Sequence, residues 1–452
     1  MTEFPFQLLI KCRLPEERTE SLTCTALLRN IPGNRLVYEA SWNAQEVIVK
    51  VFSHKISAKR RFEREWRALN RLQERNLSSP APLFYGKTTN ESWALVMKKI
   101  AGASTALDVF KKTRDNSEKL NLLVMVCKEL AKQHKKGVLQ KDLHLGNFLL
   151  KGVEIFTVDA TQMWFSSSEA GKSKSLSQLA LLACNLPQID TEFVTILYQE
   201  YACARNWSFA KSDIILFEKE CFACRAKTIR IALKKSLRTS TRTLRVRAGR
   251  YRAVFDRGFY QGAEPLDFMK RIDTLMDAGQ ILKSANTSCV SRLTWNGKDV
   301  VVKRYNHKGF VHSLRHTIKR SRARHSWLHG HRLRMLNIAT PTPLAYIEQR
   351  RWFFLWQSYL VTEYVQGQNL YYFLRDKNIP EQARSREIEQ IKALLAQLCK
   401  YRISHGDLKH TNILVTENGP ILTDLDAMQV HEWNWTHKIR SCRDMKRFAD
   451  IF

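Results

Sequence analysis

Residues 405–412 have the sequence HGDLKHTN, and a second aspartate, Asp424, follows Asn412 after twelve residues. The segment between Asn412 and Asp424 has the pattern of a short hairpin, which would bring its two ends together. Asp407, Asn412 and Asp424 would then form a compact group of side-chain oxygens. Such a group is typical of sites that hold a metal–nucleotide complex beside a hydroxyl acceptor.

The first half of the chain repeats this spacing. Asp142, Asn147 and Asp159 stand at the same intervals, and the segment between Asn147 and Asp159 again predicts a hairpin. A single Asp-x4-Asn pattern is common and usually caps a turn. Two copies, each before a hairpin of equal length, are difficult to obtain by chance. Their offset of more than two hundred residues is too long for a solenoid period and predicts tandem domains.

A lysine in a predicted strand precedes each acidic motif. Lys50 lies in EVIVKVF and Lys303 in VVVKRY, and both runs favour β-structure. The residues after Lys50 have helical spacing and include Glu65. Glu65 is therefore the predicted partner for Lys50.

The second half departs from this pattern after Lys303. The basic helix predicted for residues 314–336 contains no acidic residue. The partner expected for Lys303 is therefore missing from this helix, and Ser326 or Arg324 lies near its place. Either Lys303 is positioned by other means, or the second site is impaired.

The predicted phosphate loops also differ from the common glycine-rich pattern. Neither half contains G-x-G-x-x-G. The second half offers the small residues from Ser284 to Ser288, whose backbone N–H groups and hydroxyls could cradle phosphate. The first half offers only Gly33.

The net charge is strongly positive: the chain has 74 Lys and Arg residues and 43 Asp and Glu residues, which gives +31. The excess is concentrated in residues 221–255, with eleven basic residues and no acid, and in residues 300–347, with ten and none. Basic blocks attract polyanions such as nucleic acid, an anionic membrane face or a phosphorylated glycolipid. A solvated helix face is the plainer interpretation of either block. The charge argues against a cationic small-molecule acceptor.

The length and composition predict a multidomain globular protein, since 44% of the 452 residues are apolar. No run approaches the roughly 18 apolar residues of a membrane span, and the first residues lack a signal-peptide pattern. The chain is therefore expected to stay in the compartment where it is made. The ten cysteines form no regular framework, and the lone Cys221-x-x-Cys224 lacks a second ligand pair for zinc. Free thiols are expected.

These motifs resemble those of the bacterial lipopolysaccharide core kinases, which have the protein-kinase-like fold and phosphorylate heptose or Kdo sugars of the inner core. The resemblance covers most of the chain, and it rests on VVVKRY at 300–305, SHGDLK at 404–409, TDLDA at 423–427, PGNR at 32–35, Lys50, Glu65, Asp142 and Asn147. It implies an α+β fold with two tandem protein-kinase-like domains, residues 1–242 and 243–452. Each would have a small antiparallel β-sheet N-lobe and a mainly helical C-lobe.

The resemblance implies an ATP-dependent and Mg²⁺-dependent kinase with a site in each half. The residues implied to be catalytic are Asp142, Asp407 and Lys409; those implied to bind ATP are Lys50, Glu65, Lys303, Ser284 and Ser288; those implied to hold Mg²⁺ are Asn147, Asp159, Asn412 and Asp424. Asp426 could share the metal role, but Asp424 is preferred because its distance from Asn412 along the chain equals that from Asn147 to Asp159.

The implied acceptor is the lipopolysaccharide core glycolipid at the cytoplasmic face of the inner membrane, where the basic blocks would contact the acceptor and the anionic surface. The protein would then be cytoplasmic and peripheral to that membrane. Nucleic acid is not an expected partner, and the oligomeric state is not predicted.

Two alternatives stay open at this point. The first is a kinase of the same fold with another acceptor, either a small molecule or a protein. The second is a pseudokinase scaffold in one or both halves. The first half contains a complete set of the five implied site residues, which favours catalysis over a scaffold role: Lys50, Glu65, Asp142, Asn147 and Asp159. The tryptophans, including Trp433 and Trp435, are interpreted as core residues rather than lipid anchors, although interfacial aromatics would suit an enzyme acting on a glycolipid.

Overall fold

The computed structural model places two compact units along the chain, Met1–Thr228 and Ile229–Phe452. The residues it describes are 3–12, 18–31, 33–53, 57–186, 191–260, 265–306, 321–351 and 354–449. Pro32 and the start of the basic helix predicted for 314–336 lie outside these residues. The domain boundary predicted between residues 242 and 243 stays a prediction.

The first unit begins with a closed, six-stranded antiparallel barrel. Its strands are β1 (Phe6–Cys12), β2 (Thr19–Ile31), β3 (Arg35–Trp42), β4 (Gln45–Phe52), β5 (Pro82–Thr88) and β6 (Trp93–Lys98), in the spatial order β1-β2-β3-β4-β6-β5. The strands β3 and β4 form an antiparallel hairpin, with Asn43 and Ala44 at positive φ in its turn. Buried apolar residues such as Val47, Val49 and Val96 fill the barrel.

Helices and short strands complete the first unit. The helices are α1 (Ser57–Glu74), α2 (Ala106–Lys112), α3 (Asn116–Lys135), α4 (Lys172–Cys184), α5 (Thr191–Ala204) and α6 (Lys211–Lys235), whose last seven residues belong to the second unit. The strands are β7 (Ser104–Thr105), β8 (Val138–Gln140), β9 (Phe148–Lys151), β10 (Glu154–Thr157) and β11 (Met163–Phe165). In α1 apolar residues recur every three or four positions, so Phe62, Leu69 and Leu72 share one buried face. Glu65 lies on that same face.

The second unit begins with a seven-stranded antiparallel sheet in the order β12-β13-β17-β18-β16-β15-β14. Its strands are β12 (Thr243–Ala248), β13 (Tyr251–Asp256), β14 (Gln280–Ala285), β15 (Ser288–Trp295), β16 (Lys298–Tyr305), β17 (Pro343–Arg351) and β18 (Phe354–Glu363). The strands β15 and β16 form an antiparallel hairpin with Asn296-Gly297 as its turn. Both turn residues have positive φ, which matches the twist of the strands they join.

The rest of the second unit is mainly helical. Its helices are α7 (Pro265–Ala278), α8 (Arg322–Met335), α9 (Leu370–Arg375), α10 (Glu381–Lys400) and α11 (Asn434–Ala449), and its remaining strands are β19 (Gln368–Asn369), β20 (Ile403–Ser404), β21 (Ile413–Thr416), β22 (Gly419–Leu422) and β23 (Gln429–Val430). Trp327 of α8 is fully buried in the core of this unit. Trp433 and Trp435 are 65% and 64% exposed, so their interpretation as core residues is wrong.

The predicted α+β class is confirmed, because each unit places an antiparallel sheet before a mainly helical region. Among the described residues, no helix has both the length and the apolar character needed to cross a membrane.

A buried histidine is expected to make the first unit sensitive to acid. The Nδ1 atom of His134 lies 2.5 Å from the hydroxyl of Tyr201, which also accepts a hydrogen bond from Arg205. Burial, with a smaller effect of the Arg205 charge, lowers the pKa of His134 from 6.5 to about 3. The unfolded chain therefore binds one proton more than the folded chain between these values. As the pH is lowered through this window, we therefore expect the free energy of unfolding to fall by about 1.4 kcal/mol for each pH unit.

The measurement is urea unfolding of the full chain at a series of pH values, compared with His134→Gln. The variant should lose this part of the slope between pH 6.5 and pH 3. An identical slope in the two proteins would contradict the assignment.

Candidate active sites

The acidic motif of the first unit folds into a compact loop. A single 3-10 turn, Leu145–Asn147, leads into the antiparallel hairpin of β9 and β10. The backbone N–H of Val158 donates to the carbonyl of Asn147 at 2.8 Å, and the side-chain amide of Asn147 donates to the carbonyl of Asp142. The hairpin therefore returns Asp159 to Asn147, as the sequence predicts.

The second unit repeats this geometry. A 3-10 turn at His410–Asn412 leads into the hairpin of β21 and β22. The N–H of Thr423 donates to the carbonyl of Asn412 at 2.9 Å, and the amide of Asn412 donates to the carbonyl of Asp407 at 2.8 Å. The two loops share each of these backbone and amide contacts.

Asp159 and Asp424 both adopt the left-handed backbone conformation, with φ of 60° and 57°. Each precedes a further 3-10 turn, Ala160–Gln162 or Leu425–Ala427. This conformation is unfavourable for residues with a Cβ atom, and it persists where the surroundings impose it, often at functional sites. Its occurrence at the same place in both units marks these aspartates as candidate site residues.

Lys50 and Glu65 form the predicted ion pair. Lys50 is a buried residue of β4, and Glu65 of α1 is fully buried. The other carboxylate oxygen of Glu65 accepts a hydrogen bond from the hydroxyl of Thr161 at 3.1 Å and lies 3.5 Å from a guanidinium nitrogen of Arg35. A buried carboxylate is stable only with such partners, so Glu65 fixes the position of Lys50.

Asp159 is held as a carboxylate by the same group of residues. Arg35 donates to both of its oxygens, at 2.7 and 3.3 Å, and the hydroxyl of Thr161, whose single proton Asp159 and Glu65 share, lies 3.0 Å from one of them. Burial would raise the pKa of Asp159, but the hydrogen bond from Arg35 and the charges of Lys50 and Arg35 outweigh it, so the pKa is lowered. An ionised aspartate is the form that can hold Mg²⁺.

The second unit supplies the partner of Lys303 from a different element. The Nζ atom of Lys303 lies 2.6 Å from an oxygen of Asp424 and 3.6 Å from an oxygen of Asp426. Arg322, at the start of α8, also donates to Asp426, at 3.1 Å from its Nε atom. Asp426 follows the left-handed aspartate by two residues, which is the position that Thr161 has in the first unit.

The two helix residues near the expected position of the missing acid have other contacts. The hydroxyl of Ser326 lies 3.3 Å from the hydroxyl of Tyr305, and the backbone N–H of Arg324 donates to Ser321, which caps α8. Burial lowers the pKa of Lys303, but Tyr305 and the two aspartates outweigh it and raise the pKa above its ordinary value. Lys303 is therefore a cation held by carboxylates that follow the hairpin.

The two predicted catalytic aspartates differ in their surroundings. Asp407 lies 2.9 Å from the Nζ atom of Lys409 and 3.8 Å from a guanidinium nitrogen of Arg447. Asp142 is exposed, and in the part of the chain that is described its carboxylate has no hydrogen-bonded or ion-paired side chain. The loop of the first unit carries His144 where Lys409 stands in the second.

The predicted phosphate-binding serines lie on neighbouring strands at the edge of the second sheet. Ser288 of β15 is buried and stands opposite Tyr305 of β16, two residues beyond Lys303. Ser284 is exposed on the edge strand β14 and stands opposite Cys289. The structure therefore brings Ser288 nearer to the lysine than Ser284.

Three arginines of these sites were missed by sequence reasoning: Arg35, Arg322 and Arg447. Arg35 belongs to the quoted PGNR segment, but nothing in that segment indicates an ion pair with a residue 124 positions away. Their only sequence signal was the excess of positive charge. Each neutralises a carboxylate of a candidate site.

The acidic residues suit Mg²⁺ bound together with nucleotide phosphates. Among the described residues, no group of three or more His, Cys, Asp or Glu side chains could hold a metal alone. Mg²⁺ in kinase sites commonly takes one or two protein ligands and completes its shell with phosphate oxygens and water. Asn147 with Asp159, and Asn412 with Asp424, provide oxygens of this kind and number.

Both halves of the chain match one family model, described as the lipopolysaccharide kinase (Kdo/WaaP) family, over residues 28–172 and 276–447. No curated protein matches the chain. Among solved structures, WaaP in complex with acyl carrier protein is similar, with 15% identity and a TM-score of 0.34 over 44% of this chain and 88% of that one. A second solved structure, a kinase domain, has 14% identity and a TM-score of 0.30 over 40% of this chain and 64% of that one. The matched segments contain both lysines and both acidic motifs.

Proposed function

Because the chain belongs to the lipopolysaccharide kinase (Kdo/WaaP) family and is a phosphotransferase, we propose that it phosphorylates a heptose or Kdo hydroxyl of the lipopolysaccharide inner core. Membership of a kinase family implies that ATP is the phosphate donor. The proposal rests on an arrangement that both units repeat: a strand lysine, a left-handed aspartate, and a loop aspartate whose backbone carbonyl accepts a hydrogen bond from the asparagine amide.

The proposed roles follow from the charges and positions of these side chains. Lys50 and Lys303 contact phosphate oxygens of ATP and keep them in place. Asp142 and Asp407 orient the sugar hydroxyl and accept its proton as the phosphate is transferred. Lys409 lies beside Asp407 and can neutralise charge on the transferred group.

Mg²⁺, when bound, neutralises charge on the phosphates. Its proposed ligands are Asn147 and Asp159 in the first unit and Asn412 and Asp424 in the second. The hairpin contacts at Asn147 and Asn412 keep each asparagine beside its aspartate. Ser284 and Ser288 are the proposed phosphate cradle of the second unit.

Asp426 is proposed to take over the task that Glu65 has in the first unit. A strand lysine in this fold needs a carboxylate to hold it toward the phosphates. Glu65 provides one from a helix, whereas Asp426 provides one from the turn after the hairpin. The absence of an acid from α8 is thus compensated, and we propose that both units bind nucleotide.

The acceptor is proposed to be the membrane-embedded core glycolipid, and the protein is proposed to work as a peripheral protein on the cytoplasmic face of the inner membrane. The net charge of +31 supports this proposal, because both the acceptor and the membrane surface are anionic. A cationic small-molecule acceptor would be repelled by the same charge.

The direct test is transfer of labelled γ-phosphate from ATP to purified core glycolipid. We expect transfer that requires Mg²⁺ and that excess EDTA abolishes, since the carboxylate sites cannot neutralise the phosphates unaided. Mass spectrometry of the product identifies the phosphorylated sugar.

A protein substrate and an aminoglycoside serve as control acceptors and should remain unlabelled. The proposed kinase activity would be refuted by two results together: no transfer of phosphate to any core acceptor, and no thermal stabilisation of the full chain by Mg²⁺ and ATP. Labelling of a control acceptor alone would replace the proposed substrate class.

A further inference from the structure

One face of α11 is attached to the catalytic loop of the second unit. The carboxylate of Asp444 accepts hydrogen bonds from the backbone N–H groups of His405, at 2.7 Å, and Gly406, at 3.0 Å. Arg447, one turn further along the helix, lies beside the carboxylate of Asp407. His437 and Asp444 are buried on this inner face. The position of α11 is therefore fixed relative to Asp407.

The opposite face of α11 carries exposed apolar side chains. Trp435 is 64% exposed and Ile439 is 48% exposed, and Cys442 is also exposed. Their spacings of four and three residues place them on one stripe of an α-helix. Trp433, which is 65% exposed, stands immediately before the helix. Two exposed tryptophans beside an apolar stripe are unusual for a surface that contacts only water.

Positive charges flank this stripe. Apart from Arg447, which lies beside Asp407, the helix contains four exposed basic residues, Lys438, Arg440, Arg443 and Lys446. Its one acidic residue, Asp444, is buried and accepts hydrogen bonds from the catalytic loop. The outer surface of the helix is therefore cationic as well as apolar.

This combination fits an anionic membrane surface. Tryptophan prefers the interface between water and lipid, and basic residues are attracted to anionic headgroups. Helices with an apolar stripe and a basic polar face lie in the plane of such interfaces. Association with a second copy of the chain through the same face would instead bring like charges together.

We propose that the outer face of α11, formed by Trp433, Trp435, Ile439 and Cys442 with their basic neighbours, docks on an anionic membrane surface. Docking would hold the Asp407 loop about 10 Å, one helix diameter, from the surface in which a glycolipid acceptor is anchored, because the inner face of the same helix contacts that loop. The inference rests on the proposed function only for the identity of that acceptor.

The test is co-sedimentation of the full chain with vesicles. We expect binding to vesicles of phosphatidylcholine and phosphatidylglycerol, which weakens as salt is raised, and much weaker binding to phosphatidylcholine alone. Trp435→Ser/Ile439→Ser should reduce binding to the anionic vesicles by about tenfold or more, because the apolar contacts are lost. Lys438→Gln/Arg443→Gln should also reduce binding and should weaken its dependence on salt.

Trp164→Ser is the matched control, since this tryptophan of β11 is 59% exposed and lies in the first unit. It should bind like wild type. Equal binding of wild type and Trp435→Ser/Ile439→Ser would overturn the proposal, as would equal binding to the neutral and anionic vesicles. If the wild-type chain sediments in the absence of vesicles and the Trp435→Ser/Ile439→Ser variant does not, the face mediates self-association instead.

Phosphate transfer to a delipidated core oligosaccharide separates this inference from the proposed function. If that transfer proceeds in all variants but vesicle binding does not respond to the changes in α11, the docking proposal fails alone. If vesicle binding responds as expected, but neither the oligosaccharide nor the core glycolipid is phosphorylated and Mg²⁺ with ATP gives no thermal stabilisation, the proposed function fails alone.

Discussion

Asp142→Asn/Asp407→Asn is expected to lower phosphate transfer to the core glycolipid by about 10²-fold or more, because an asparagine cannot accept the proton of the acceptor hydroxyl. Each single variant should keep the transfer that the other unit performs. The measurement is the rate of labelled phosphate transfer at saturating ATP. The substitutions keep the side-chain size, so the fold should be retained.

Binding of Mg²⁺ and ATP provides the control for this experiment. The double variant should still be stabilised thermally by the nucleotide, since Lys50, Lys303 and the proposed metal ligands are unchanged. If Asp142→Asn alone were as slow as the double variant, the second unit would be a pseudokinase. The reverse result would assign the chemistry to the second unit alone.

Glu65→Ala is expected to destabilise the first unit by about 3–5 kcal/mol, because it removes the carboxylate from a buried ion pair and leaves Lys50 without its partner. The same change should weaken ATP binding, since Lys50 is no longer held toward the phosphates. Thermal unfolding and ATP titration of the full chain measure the two effects.

Two changes in the second unit test whether Asp426 has the role of Glu65. Asp426→Ala should weaken ATP binding, but with a smaller loss of stability than Glu65→Ala, because Lys303 keeps its contact with Asp424. Ser326→Ala is the matched control at the helix position and removes only one neutral hydrogen bond, worth about 0.5–1.5 kcal/mol. ATP binding that responds to Ser326→Ala but not to Asp426→Ala would exclude the proposed role.

Local patterns were sufficient for much of the fold. The Asn296-Gly297 hairpin, the strand that carries Lys50 and the helix that carries Glu65 each follow from residues adjacent in the chain. The pair of Lys50 and Glu65 was also predictable, because a buried strand lysine needs an acid and the next helix contains one on its buried face.

Contacts between distant residues were not predictable in this way. Lys303 and Asp424 are 121 residues apart, and Arg322 and Asp426 are 104 apart. Their pairing depends on how the sheet, the helix and the hairpin pack together. The exposure of Trp435 was missed for a related reason, since the inner face of α11 is determined by Asp444 and its contacts with the distant residues His405 and Gly406.

The carboxylate that holds the strand lysine comes from a helix in the first unit and from the segment after the hairpin in the second. Nucleotide binding by the two units is therefore expected to respond differently to movement of a helix. In the first unit the partner of Lys50 belongs to α1, so any ligand that displaced this helix would separate the ion pair and disable the lysine. In the second unit both carboxylates near Lys303 belong to the segment after the hairpin. A displacement of α8 would break the contact of Arg322 with Asp426 and leave Lys303 in place. Movement of a helix can therefore change the position of Lys50 in the first unit, whereas Lys303 in the second unit keeps its carboxylate contacts when α8 moves.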